Sequence, residues 1–206
     1  MTVFEPAAAV LGIPAVAAAL LVVLPGYRLT ATLNVTATFL TFLAAVSLFF
    51  GRPPPGPYLL VDDLNNVFIV LTTFVGFTTS VFSASYIGHE LEIGRLTPRV
   101  LRFYHAMYQV LMFAMNLALV TNNIGVMWVA IELATLTTVL MVGIYRTHEA
   151  LEAAWKYFIL VYMAARPVIG EGLDAMVWTV LMTRGGAFDP ALLNVAFVFL
   201  LLGYGT

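Results

Sequence analysis

The chain has 206 residues and no cysteine, a single lysine (Lys156), and few charges of either sign, with Asp, Glu, Lys and Arg making up 10% of it. Without thiols it cannot form disulfides, ligate iron–sulfur clusters or build thiolate zinc sites, so any electron transfer associated with it runs through other subunits. The net charge of -2, with no basic run and no basic patch interleaved with aromatics, excludes nucleic acid as a partner. Glycine-rich phosphate loops, nucleophile elbows and HExxH patterns are also missing. His89, His105 and His148 fall in loops or at a helix end without paired spacing, so neither a metal site nor a resident cofactor is expected.

Apolar sequence takes the place of what is missing. The chain is 62% hydrophobic with a mean hydropathy of +0.97, whereas soluble domains are about half apolar. It therefore reads as an integral membrane protein. A hydrocarbon core of about 30 Å takes about 20 residues of helix to cross, and runs of that length follow one another. An all-α, polytopic transmembrane helical bundle is predicted, with spans over 7–24, 29–50, 64–87, 103–121 and 124–145, a shortened sixth helix over 151–165 and a truncated seventh over 191–205. The first run resembles a signal peptide in length, but it lacks a basic leading region, follows Glu5 and contains Pro14, so it reads as a retained span. In the second, Thr30, Thr32, Asn34, Thr36 and Thr38 alternate as in a strand, and the long apolar continuation to Phe50 decides for helix. Gly51 to Pro57 is too rich in proline for either and forms an extended surface turn.

In the third run Thr72, Gly76, Ser80 and Ser83 form a stripe of small residues suited to close helix packing. The stretch from His89 to Arg102 carries Glu90, Glu92, Arg95, Arg99 and Arg102 and reads as an aqueous loop. Only Asn122 and Asn123 separate the fourth and fifth helices, which makes them antiparallel neighbours. Counting cations by alternate side places Arg28, Arg95, Arg99, Arg102, Arg146 and Lys156 together and Arg52 opposite them, so the N-terminus is expected outside. In a bacterial inner membrane the second and fourth loops would face the periplasm.

One feature of the fifth run is costly. Glu132 lies near the middle of an apolar stretch, where an ionised carboxylate without a partner costs about 2.5 kcal/mol or more. On a helical wheel Gly125, Trp128, Thr135, Leu136, Val139 and Gly143 share its face, while Val129, Leu133 and Leu140 lie away from it, so the acid is expected to face a neighbouring helix. Burial of a carboxyl favours its neutral form and a nearby cation its charged form, so moving a cation would make such a group take up or release a proton. The plainer alternative is a permanently protonated glutamate hydrogen-bonded to a neighbouring helix. Lys156 either snorkels to the interface or reaches inward toward a carboxylate. Asp62 and Asp63 read first as a solvated helix start that complements the dipole, and second as a point of proton uptake or a subunit contact. With Asn116, inside the fourth helix, they are accessory candidates.

Several stretches together resemble one family, the antiporter-like membrane subunits shared by respiratory complex I, multisubunit sodium/proton antiporters and membrane-bound hydrogenases. They are Val61-Asp62-Asp63-Leu64-Asn65, Trp128 to Thr137 around Glu132, Glu152 to Leu160 around Lys156, and Phe199 to Thr206. Within the family the chain is most similar to the F-type membrane components of hydrogenase-4 and formate hydrogenlyase complexes. The resemblance implies that Glu132 is the family's helix-five glutamate and Lys156 the lysine opening helix six. It also implies proton or sodium translocation along such charges, with a hydrogenase or dehydrogenase arm and further membrane subunits as partners. The chain departs from the pattern in two places: about a dozen residues are absent between Leu160 and Val161, and a helix-seven lysine and second repeat are not found. It reads as the N-terminal part of a longer subunit, with a sodium/proton antiporter component and a nonconducting remnant as alternatives.

Overall fold

The computed structural model describes residues 5–24, 26–92, 97–142 and 194. Five helices account for most of them: α1 (Pro6–Val23), α2 (Tyr27–Ser47), α3 (Asp63–Glu92), α4 (Pro98–Val120) and α5 (Ile124–Val142). The fold is an all-α helical bundle. By length and composition α1 to α4 are each able to cross a membrane, and the apolar stretch of α5, Ile124–Thr138, is shorter. The predicted sixth helix lies outside the described residues, as does the predicted seventh apart from Asn194.

Local chemistry sets the helix ends. Pro6 and Pro98 open α1 and α4, where the missing N–H costs nothing. Between α1 and α2 the backbone at Gly26 has φ +91°, a conformation that suits only glycine. Asp62 caps α3, its Oδ1 accepting from the Asn65 N–H at 2.7 Å. The predicted aqueous loop of 89–102 is helical at both of its ends, because α3 continues to Glu92 and α4 starts at Pro98. Hydropathy marks where a helix meets water rather than where it stops, and Glu, Arg and Leu are all good helix formers. At about 45 Å for 30 residues, α3 is longer than the hydrocarbon core is thick.

At the opposite end of the bundle the extended 51–62 segment folds back over the α4–α5 turn. Leu59 and Thr121 form an antiparallel bridge, in which the Leu60 N–H donates to Val120 O and the Asn122 N–H to Tyr58 O, both at 2.9 Å. Asn122 Nδ2 donates to Gly56 O at 2.8 Å, and Asn123 caps α5 by accepting from the Val126 N–H at 3.1 Å. This clasp puts the second and fourth connections on the same side of the bundle. Beneath it lies an apolar cluster of Val10, Ala44, Ala45, Leu48, Val61, Ile69 and Val120, drawn from one end of each of α1 to α4.

Helix α4 is the hub and packs on each of α1, α2, α3 and α5. Its approach to α3 depends on Gly76, where a Cβ would collide with the end of the Met112 side chain. Tyr108 Oη donates to Gly76 O at 2.6 Å across the same contact. The buried face of α3 reads Asn66, Ile69, Thr73, Gly76, Ser80, Ser83 and Ile87. Thr73 thus holds the place predicted for Thr72, since a register of alternating threes and fours through Ile69 and Gly76 selects it.

Two predictions follow the packing. Gly76→Leu overpacks the α3–α4 contact and costs about 1–3 kcal/mol, read as a lower melting temperature of the extracted protein, and adding Met112→Ala restores much of the loss. Asn123→Ala removes the α5 cap and costs about 1 kcal/mol, whereas Asn123→Asp, which keeps the acceptor, melts close to the parent.

Candidate functional site

Glu132 lies eight residues into α5, about 12 Å below the clasped α4–α5 turn, so the cap at Asn123 sets its depth. One carboxyl oxygen, Oε1, is buried without a hydrogen-bond partner. Among the described residues no hydrogen bond or ion pair reaches the side chain. Helix α5 packs chiefly on α4, through the line Asn123, Ala130 and Thr137, all buried. Glu132 sits roughly 160° around the helix from that line.

Its own surroundings are half-open. Leu136, predicted to share its face, is 52% exposed, and Val129, predicted to lie away, is 55% exposed only 60° from Glu132 at about 100° per residue. Glu132 is therefore on the side of α5 turned away from its main contact with α4. Lys156, the predicted cationic partner, lies outside the described residues.

The accessory candidates are not gathered around Glu132. Asp62 is occupied as the α3 cap, and Asp63, also exposed, pairs with Arg52 Nη2 at 2.6 Å, closing the proline-rich turn. These are the contacts of a solvated helix start. Asn116 is fully buried in α4, its Nδ2 donating to Met112 O at 2.8 Å and its Oδ1 without a partner.

The structure also brings together polar residues that sequence reasoning did not connect with one another. On α4, His105, Gln109 and Asn116 lie on one fully buried face, at spacings of four and seven. His105 stands two turns inside α4, not in a loop or at a helix end, because α4 begins at Pro98 rather than near Phe103. On α2 the alternating polar series splits by helical period: Thr30, Asn34, Thr38 and Thr41 are buried, while Thr32 and Thr36 face outward. Gln109 Nε2 donates to Asn34 Oδ1 at 2.8 Å and Asn34 O at 3.1 Å, joining α4 to α2. Thr38 and Ser80 share a 2.7 Å bond that joins α2 to α3. Tyr27 donates to Ala84 O, and Tyr104 pairs with Ser83 at 3.3 Å. A spacing of four in Thr30-Asn34-Thr38 and in His105-Gln109 was the signal available in the sequence.

No protein-family model matches the chain. Among curated proteins it is similar to the hydrogenase-4 component F homolog of Methylacidiphilum infernorum, at 54% identity over 214 residues that cover 97% of this chain and 45% of the relative. It is also similar to NADH-quinone oxidoreductase subunit N 2 of Thermodesulfovibrio yellowstonii, at 23% identity over 146 residues, 70% of this chain and 31% of that protein. The chain thus spans less than half the length of each. The first alignment runs over 214 positions but covers roughly 200 residues here (97% of 206), so the relative carries residues with no counterpart in this chain. With more than half of its residues identical along nearly its whole length, this chain belongs to the antiporter-like family of membrane subunits that takes in hydrogenase-4 component F and subunit N of NADH-quinone oxidoreductase.

Proposed function

We propose that this chain serves in the membrane part of a hydrogenase-4-like or complex I-like oxidoreductase assembly, where it carries protons while partner subunits transfer electrons. The observation that carries the reading is Glu132: an acid about 12 Å inside an apolar helix, with a buried oxygen that no described residue satisfies. A carboxyl in that position exchanges a proton when a cation approaches or withdraws, because the two surroundings favour opposite charge states. In this reading Lys156 supplies or controls that cation. The relatives' names add an assembly of hydrogenase or NADH-quinone oxidoreductase type, whose peripheral arm would perform the redox chemistry. Asp62 and Asp63 keep their capping and ion-pair roles and take no part in the transfer.

The membrane is read as the bacterial inner membrane with the N-terminus outside, because the arginines concentrate on the side of the α1–α2 and α3–α4 connections. The clasp between 51–62 and the α4–α5 turn lies on the opposite, periplasmic side.

In the assembled complex, Glu132→Gln abolishes proton pumping, measured as acidification of inverted vesicles, while complex assembly is retained. Unchanged pumping would overturn the role given to Glu132. Glu132→Asp, which shortens the side chain by one methylene, retains part of the activity. For orientation, the cysteine-free background makes single substitutions clean reporters. Pro54→Cys reacts with an impermeant maleimide from the periplasmic side and Arg95→Cys from the cytoplasmic side, and the reverse pattern would invert the topology.

A further inference from the structure

The seam between α2, α3 and α4 is closed, yet its polar side chains are under-paired. Asn34, His105, Gln109 and Asn116 have no solvent exposure, and among the described residues no partner reaches Asn34 Nδ2, Gln109 Oε1, Asn116 Oδ1 or either ring nitrogen of His105. Native proteins pair nearly all such atoms, and each one without a partner opposes the closed packing. From His105 to Asn116 the row extends about 16 Å along α4, half the hydrocarbon thickness.

The unpaired atoms also identify the ligand. Asn34 Nδ2 is a donor and Gln109 Oε1 an acceptor, while a neutral imidazole such as His105 offers one of each. A cation would be repelled by the donors and an anion by the acceptors. Water donates and accepts, and one molecule bridging Asn34 Nδ2 and Gln109 Oε1 would complete the ring that the two amides leave open. The α2–α4 contact is the place for it to enter, since the Gln109–Asn34 bonds join those two helices whereas tyrosines and serines bind α3 to its neighbours. One turn beyond Asn116, Val120 belongs to the apolar cluster, which shuts that end.

We propose that this seam is a water-binding site that opens by a slight parting of α2 and α4, blind at the clasped end and separate from Glu132. The site concerns water rather than protons, so it stands or falls apart from the function proposed above. The test is hydroxyl-radical footprinting of the whole complex in membranes, comparing two methionines of α4. Met112 lies in the row and is 3% exposed, whereas Met115, about 60° around the helix from it, is 39% exposed. Opening to water makes Met112 oxidise several-fold faster than Met115. Replacing both amides, as Asn34→Leu with Gln109→Met, brings Met112 down to the level of Met115. A wild-type rate for Met112 no higher than that of Met115 overturns the proposal, and this comparison needs no variant to fold. Undiminished labelling in the double variant also overturns it, because the wetting would then not depend on these polar groups.

Discussion

A bilayer offers no hydrogen bonds, so every polar side chain in the bundle is answerable to its own helix or to a neighbour. Most of the hydroxyls take the first course. Thr30, Thr38, Thr41, Thr73 and Thr137 each donate to a carbonyl three or four residues earlier, which lets α2, α3 and α5 carry threonine without exposing a donor to lipid. The longer amides cannot do so fully. Asn34 and Gln109 reach across helices, and that need brings α4 against α2 at a fixed depth. Gly76, where Met112 and the Tyr108 hydroxyl come close to the α3 backbone, fixes α4 against α3 at nearly the same level. The central position of α4 thus follows from where its polar side chains find partners, with small residues permitting the approach.

The same constraint sorts the charges. Arg52, Asp62 and Asp63 sit at helix ends, where water and exposed N–H groups accept them, and the Arg52–Asp63 pair, 92% exposed at its acid, contributes at most about 1 kcal/mol. They close a turn; they do not build a site. Glu132 is the exception, a charge-bearing group far from either end. Its oxygen is desolvated while its flanks remain open, an arrangement that would be costly in a finished hydrophobic core and is workable only beside further protein or water.

How much of this was legible in the sequence depended on range. Runs of spanning length, the hard turn at Gly51–Pro57, the two-residue connection at Asn122-Asn123 and the acid at 132 are all local, and the structure has helices and turns where the sequence places them. Helix ends were less legible, because Glu90, Glu92, Arg99 and Arg102 read as loop by hydropathy although they are helical by propensity. Least legible was the facing of residues. Alternation in Thr30 to Thr38 hid a four-residue period, and His105 was taken for a helix-end residue because its depth depends on Pro98, five residues before the predicted start. The wheel around Glu132 erred in the same way: Val129 was assigned by bulk to the far side, whereas three residues of helix place it within 60° of the acid. Facing is a tertiary property, set by which line of α5 meets α4, and Asn123, Ala130 and Thr137 form that line only because the clasp fixes the entry angle of α5.

This geometry divides the described part of the protein by role. Helices α1 to α4 pack on one another, and among them α4 is the chief neighbour of α5, on the side of the Asn123–Ala130–Thr137 line away from Glu132. They hold its depth and rotation. The carboxyl lies on the other side of α5, where Val129 and Leu136 are open. The Asn123 cap and the Gly56–Asn122 bond set the acid's depth, so in the role proposed for it a cation arriving there would find little left to reorganise. The packed half of the bundle and the exposed half of α5 are in that sense one arrangement: the first sets the depth of the acid, and the second leaves its side of the helix open.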